Sequence, residues 1–165
     1  MDGQEILARL GERVGSGRLE THAYRGDHTA VVTREALLYA LGLLRDDPAL
    51  RFDLLVDVTA VDNLRFPGRE DGPRFDVVYH LYSTEHNHRV RLKVPVEEDD
   101  ARVPTATALW PIADWLEREV WDMFGIRFDG HPNLRRLLLY EEFQGHPLRK
   151  DYPINRRQPL IGPRV

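Results

Sequence analysis

Between Glu5 and Val14 the apolar residues Ile6, Leu7, Leu10 and Val14 fall at helical spacing, and Gly15-Ser16-Gly17 ends the run, which predicts a short amphipathic helix. Leu19 to Tyr24 and Thr29 to Thr33 flank the turn-forming group Arg25-Gly26-Asp27 and predict a hairpin. A second helix is expected from Arg34 to Leu44, capped by Thr33 and stopped near Pro48. In the centre the period changes to two. Phe52, Leu54, Val56, Val58 and Ala60 alternate with Asp53, Asp57 and Thr59. Phe75, Val77, Tyr79 and Leu81 alternate with Asp76 and His80, and Val90, Leu92, Val94 and Val96 with Arg89, Arg91 and Lys93. Three half-buried antiparallel strands follow. A last helix is expected from Thr105 to Phe124, interrupted by Pro111 and ending at Gly125. The fold class is α+β, a mixed and mainly antiparallel sheet covered by helices, with residues 1–125 as the body. Residues 126–165 are expected to form an extended C-terminal tail containing Gly and Pro.

Composition narrows the chemistry. A chain of 165 residues, 42% hydrophobic, suffices for one domain with a real core. There is no cysteine, so thiolate catalysis, disulfides and cysteine-ligated clusters are excluded. Gly11, Gly15 and Gly17 fit neither nucleotide-binding glycine motif. The longest apolar runs, such as Ala36 to Leu44, fall far short of the ~20 residues that span a bilayer. The opening Met1-Asp2-Gly3-Gln4-Glu5 lacks the basic start and apolar stretch of a secretory signal, so a cytoplasmic location is expected. The formal charge of −4 is uneven: 15 Lys+Arg stand against 23 Asp+Glu up to Gly125, and 8 against 4 beyond it. An acidic body thus carries a basic tail suited to acidic protein surface, whereas an acidic chain repels nucleic acid. The acidic run Glu97 to Asp100 reads as a solvated loop.

On the last helix, Leu109, Ile112, Leu116, Val120 and Met123 form an apolar stripe. Asp114, Arg118 and Asp122 form a ladder of alternating charge on the opposite side, self-sufficient at the surface. Glu119 falls on the flank of the stripe, where a carboxylate needs a partner. Downstream, Phe128-Asp129-Gly130-His131-Pro132 recurs as Phe143-Gln144-Gly145-His146-Pro147, and proline forces each histidine into extended backbone. Hydrogen bonding within the turn or across an interface fits these histidines better than metal ligation. His86 and His88 read as a solvated hairpin tip. From Glu141 onward the apolar residues Phe143, Leu148, Tyr152, Ile154, Leu160 and Ile161 have no repeat up to Pro163. The tail is therefore expected to need a second surface, with Phe143, Tyr152 and Leu160 as anchors and Arg149, Lys150, Arg156 and Arg157 as charge partners.

The run from Trp115 to Ile126, then Gly130-His131-Pro132, Leu134 to Leu138 and Gly145 to Pro153, resembles the signature of the C subunit of NADH-quinone oxidoreductase, the thirty-kilodalton subunit family of respiratory complex I. The resemblance implies a non-catalytic subunit of the peripheral arm, supporting NADH-to-quinone electron transport in a proton-translocating enzyme. It implies no cofactor in this chain, since flavin, iron-sulfur clusters and quinone belong to partner subunits. The implied partners are the large D subunit that carries the quinone site, with the cluster-bearing B and I subunits nearby. Membrane contact is then indirect, on the cytoplasmic face of the cell (inner) membrane. Glu117, Arg118, Glu119, Asp122, Phe124, Gly125, Gly130, His131, Pro132, Arg135, Arg136, Gly145, His146, Pro147, Arg149, Lys150, Asp151 and Tyr152 carry over as packing or interface residues, with none catalytic or metal-binding. Asn133 stands where the resemblance implies aspartate. A membrane-bound hydrogenase or another complex-I-like dehydrogenase uses a similar subunit. A different class, a stand-alone metal-dependent hydrolase, would use His80, His86, His88 or His131 with carboxylates.

Overall fold

The computed structural model describes residues 2–15 and 17–162. Met1, Ser16 in the expected glycine stop, and the tail end from Pro163 to Val165 lie outside the described residues. Helix α1 (Gly3–Val14) starts in a reciprocal cap: the Glu5 N–H donates to Asp2 Oδ1 and the Asp2 N–H to Glu5 Oε2. It buries Ile6, Leu7, Leu10 and Val14, the stripe seen in the sequence. Strands β1 (Leu19–Tyr24) and β2 (Asp27–Val32) form the expected hairpin, closed by Arg25 and Gly26 with φ of 52° and 87°. Both residues are left-handed, as a two-residue turn between twisted strands requires. The second helix differs from its expectation at the start. A single 3-10 turn (Arg34–Ala36) precedes α2 (Leu37–Asp46), and Thr33 makes no side-chain cap.

Strands β3 (Leu54–Asp62), β4 (Phe75–Ser83) and β5 (His88–Val96) pair antiparallel, and β2 joins β5 in parallel, giving the order β1-β2-β5-β4-β3. The sheet is thus mixed and mainly antiparallel. α1 and α2 pack with the inward sheet face in one core that includes Leu37, Leu41, Phe52, Tyr79 and Leu92. In β3 the simple alternation fails. A bulge between Leu55 and Asp57 inserts an extra residue, so Leu55 faces inward at 2% exposure while Leu54 and Val56 face out at 44% and 54%. Beyond the bulge Val58, Ala60 and Asp62 all point inward, so β3 ends on a buried carboxylate.

After β6 (Arg102–Pro104), residues 105–111 form turns rather than helix, because Pro111 supplies no N–H and restricts its predecessor. Helix α3 (Ala113–Phe124) follows. Ile112, expected in the core, precedes its first turn and is half-exposed. α3 is the crossover of a second, two-stranded parallel sheet in which β7 (Arg127–Asp129) pairs with β6. Ile126 and Phe128 are buried in the core, so the packed structure runs past Gly125.

The bulge reverses which of two neighbours matters. Leu55→Ala is expected to cost ~2–5 kcal/mol in urea unfolding, whereas Val56→Ala costs under ~1 kcal/mol; equal losses would place Val56 in the core.

Candidate functional site: a helix bound by its own C-terminal strap

Past β7 the described residues have no regular structure, yet residues 130–152 lie across α3 and the end of the sheet as a strap. The tie begins at Asp122, whose side chain is fully buried. Its Oδ2 accepts the N–H groups of Leu137, Leu138 and Leu139 at 3.0, 2.9 and 2.9 Å. Its Oδ1 takes Arg136 at 2.7 Å. Arg136 also donates to the carbonyls of Phe143 and Gly145 and lies over the rings of Trp121 and Phe143. Burial by itself pushes the Asp122 carboxyl up. The Leu139 N–H, the Arg136 guanidinium and the Leu137 and Leu138 N–H groups outweigh it and hold Asp122 below its ordinary value. One turn earlier Arg118, also buried, donates to the carbonyls of Arg135 and Arg136 and lies 5.1 Å from the Trp115 ring.

The second glycine-histidine-proline turn caps the end of α3. A helix leaves its last four carbonyls unpaired. Here Trp121 O accepts the Gly125 N–H, Asp122 O a proton on His146 Nδ1, Met123 O the Leu148 N–H, and Phe124 O Arg149 Nε at 2.6 Å. Gly125 has φ +77°, and an added Cβ would sit 2.6 Å from the His146 ring, so only glycine fits. His146 is held below its ordinary value by burial, which suits an uncharged donor to a helix terminus. In the first such turn, His131 Nδ1 accepts the Asn133 N–H, leaving Nε2–H to donate to Asp114 O at 3.1 Å. Gly130 with φ +82° allows that turn, and Pro132 is exposed.

A second anchor lies at the end of β3. Asp62, fully buried, accepts Arg74 through both oxygens at 3.2 and 2.9 Å, the Leu64 N–H, and the Lys150 N–H of the strap at 2.8 Å. Arg74 reaches on to Asp151 at 2.6 Å and to Glu98. Burial favours the neutral form of Asp62, but Arg74 and the two N–H groups prevail and keep its value lowered. Arg74 is raised, first by its hydrogen bonds to Asp62. Tyr152 stacks on Phe143 at 6.2 Å and packs against Gly145, where a Cβ would come within 2.9 Å.

Several expectations change on this geometry. Arg118 and Asp122 are not rungs of a solvated ladder, for both are buried and bind the strap. Glu119 is exposed, and the carboxylate that needs an explanation is Glu117, fully buried and bonded to Thr105 Oγ1 and the Ala106 N–H at 2.5 and 2.7 Å. The cause is that α3 is covered on two sides. Val120, Met123 and Phe124 meet the core while Arg118 and Asp122 meet the strap, leaving a narrow outer stripe with Ile112 at 49% exposure, Trp115 at 55%, and Glu119. Many of the strap's backbone groups find partners within the chain, contrary to the expectation of an unpaired tail, and Phe143 and Tyr152 pack on each other instead of standing free as anchors. His88 is half-buried against Phe52 with Nε2 on Leu50 O, and exposed His86 bonds Pro48 O. Lys150 and Arg135 engage through backbone atoms, and their side chains are exposed. Asp62 and Arg74 escaped the reading of the sequence; the signal was an aspartate at an inward position of β3.

Two solved structures share this architecture. The trypsin-resistant fragment (1–134) of Nqo5 superposes with TM-score 0.68 and 35% identity over 78% of this chain and 98% of that one. A chain of the membrane-bound sulfane sulfur reductase, an archaeal respiratory membrane complex, gives TM-score 0.73 and 26% identity over 93% and 86%. The fold thus places the chain in the class of α+β subunits found in respiratory complexes. More narrowly, it belongs to the family of the respiratory-chain NADH dehydrogenase 30 Kd subunit, which it matches over residues 30–158. That range takes in both anchors and the strap and leaves out α1 and β1. Among relatives, the NADH-quinone oxidoreductase C subunit of Citrifermentans bemidjiense is 47% identical over 163 residues, covering 98% of this chain and 97% of that protein. The corresponding C subunit of Caulobacter vibrioides is 49% identical over 156 residues, covering 92% and 72%.

Asp122→Ala strands Arg136 and three N–H groups, and is expected to cost ~3–5 kcal/mol and to raise amide exchange at Leu137–Leu139. With lowered folded-state values, Asp62 and Asp122 contribute stability fully present above the unfolded value of about 3.9 and lost as pH falls through the folded value. Acid titration of unfolding in wild type and Asp122→Asn checks the sign: the variant should lose stability less steeply below about pH 4.

Proposed function

We propose that the chain is a non-catalytic subunit of the peripheral arm of a proton-translocating NADH-quinone oxidoreductase, packing against the quinone-site D subunit with the cluster-bearing B and I subunits nearby. Membership of the 30 Kd family and 47% identity to a C subunit across 98% of the chain support a role within such an oxidoreductase. One structural observation carries the packing role: the strap, tied down from beneath, turns a discontinuous apolar surface outward. Leu138 and Leu148 are 61% and 52% exposed and Ile154 and Leu160 fully so, and the Ile112–Trp115–Glu119 stripe and the cations Arg156 and Arg157 are exposed as well. Apolar anchors with an arginine rim are what a protein neighbour buries.

In this reading flavin, iron-sulfur clusters and quinone reside in the partners, and the chain sits at the cytoplasmic face of the membrane through them. Among the described residues no helix is long and apolar enough to cross a membrane. The likeness to a chain of the sulfane sulfur reductase complex supports a second reading, the equivalent subunit of another complex-I-like enzyme. The higher identity to several C subunits favours the first.

A chain ending at Tyr152 keeps Asp62, Arg74 and Asp151 in place and is expected to unfold like wild type while losing co-purification with the quinone-site subunit from native membranes. Glu119→Ala, on the exposed stripe, is expected to fold normally and to lower assembly. Undiminished recovery of the partner with either variant contradicts the docking role, and the co-purified proteins identify which assembly is formed. Because a solved relative is a trypsin-resistant fragment, trypsin is expected to cut this chain first at exposed Arg156 or Arg157 and to spare buried Arg118 and partly buried Arg136.

A further inference from the structure

Unlike Asp62 and Asp122, the buried Glu117 has no arginine or lysine against it among the described residues. Its neighbours come from four elements. On its own helix, Asp114 adds negative charge one turn away, and its buried Oδ1 has no hydrogen bond. From β4, Tyr79 is fully buried, its hydroxyl is unpartnered, and it feels the Glu117 charge. The turn after β6 offers the Thr105 hydroxyl and the Ala106 N–H. From the first glycine-histidine-proline turn comes His131, whose side chain is fully buried and whose Nε2 lies 3.1 Å from Asp114 O, 3.3 Å from Asp114 Oδ1 and 4.0 Å from Glu117 Oε2.

We propose that Glu117 and His131 form a proton-linked clasp between α3 and the start of the strap, closed while Glu117 is protonated and loosened when it ionises. The hydrogen bonds also accommodate the protonated form. Thr105 Oγ1 lies 2.5 Å from Glu117 Oε2 and 3.0 Å from Thr107 Oγ1, and it accepts the Thr107 N–H. A proton on Glu117 lets the carboxyl donate to Thr105 and Thr105 donate to Thr107, with the Ala106 N–H still accepted by the other oxygen. When the proton leaves to solvent, the hydroxyl chain can reverse, but a second negative charge then lies beside Asp114 with no cation to meet it. Besides the unpartnered Tyr79 hydroxyl of β4, the nearby donor that can turn to it is His131 Nε2–H, and this one belongs to the strap. Turning that ring toward Glu117 takes Nε2 from Asp114 O and Nδ1 from the Asn133 N–H, which opens the turn at Gly130–Asn133.

The energetic direction agrees. Burial, more than any other cause, raises the Glu117 carboxyl from 4.5 to about 7, against the hydrogen bonds from Thr105 and Ala106. Between those values the folded chain holds a proton that the unfolded chain has released, so stability falls as pH rises through that window. This is opposite to the dependence given by Asp62 and Asp122. The clasp concerns the isolated chain and does not rest on its place in an assembly.

The test is a carbon-13 NMR titration of the glutamate carboxyls in the full chain, with amide exchange at Asn133 followed in parallel and corrected for intrinsic base catalysis. Glu117 is expected to titrate near pH 7, apart from the surface glutamates, and Asn133 protection is expected to fall through the same midpoint. Glu117→Gln, which presents the same donor and acceptor as the protonated acid, should hold that protection constant. Thr105→Val removes a hydrogen bond that favours the charge and should move the midpoint upward, keeping the test available if the glutamine variant folds poorly. A Glu117 midpoint among the surface carboxyls, or Asn133 protection indifferent to the Glu117 titration, overturns the proposal.

Discussion

A carboxylate buried on the face of a helix that points away from the core dictates the rest of this architecture. Asp122 cannot be desolvated alone, and the donors that satisfy it are three successive backbone N–H groups and a guanidinium, all from a segment without secondary structure of its own. The exchange is mutual. An irregular segment cannot pair its own polar backbone, and α3 supplies what a second strand would otherwise provide. Arg118 accounts for two further strap carbonyls, and the end of α3 for His146, Leu148 and Arg149. Asp62 with Arg74 then fixes the far end of the strap to the sheet.

The elements whose burial is one-sided were legible from the sequence. α1 and β5 bury one face and leave the other partly open, so a period of 3.6 or 2 reports them faithfully, and the α+β class follows. β3 was misread because its bulge shifts the parity midway, and nothing in Leu54-Leu55-Val56 distinguishes the inserted residue. α3 was misread for another reason. Amphipathic reasoning assumes that polar means solvent, and a helix covered on two sides breaks that assumption: Asp122 is as buried as any core leucine. The spacing of Asp114, Arg118 and Asp122 is equally good for a surface ladder, so only the strap's position, a long-range fact, separates the two.

The repeated glycine-histidine-proline group shows local chemistry read correctly without its target. The sequence implies a turn that projects a histidine from extended backbone, and both histidines do bond within the chain. What it cannot give is that each ring meets a carbonyl of the same helix, one at each end. Repetition along the strap thus matches two sites on α3, and the spacing between the groups is bridged by the Arg136–Asp122 tie.

α3 therefore holds two fully buried carboxyls five residues apart that are shifted in opposite directions. Asp122 is surrounded by donors and stays charged; Glu117, facing the core with two donors and an aspartate neighbour, favours its proton. Pairs of like groups driven apart by their surroundings are usually sought in catalytic clefts. Here the division has a mechanical meaning. The charged carboxylate holds the middle of the strap over a wide pH range, while the protonated one borders the turn where the strap begins, so the entry can loosen without releasing the segment that carries Leu138 and Leu148 outward.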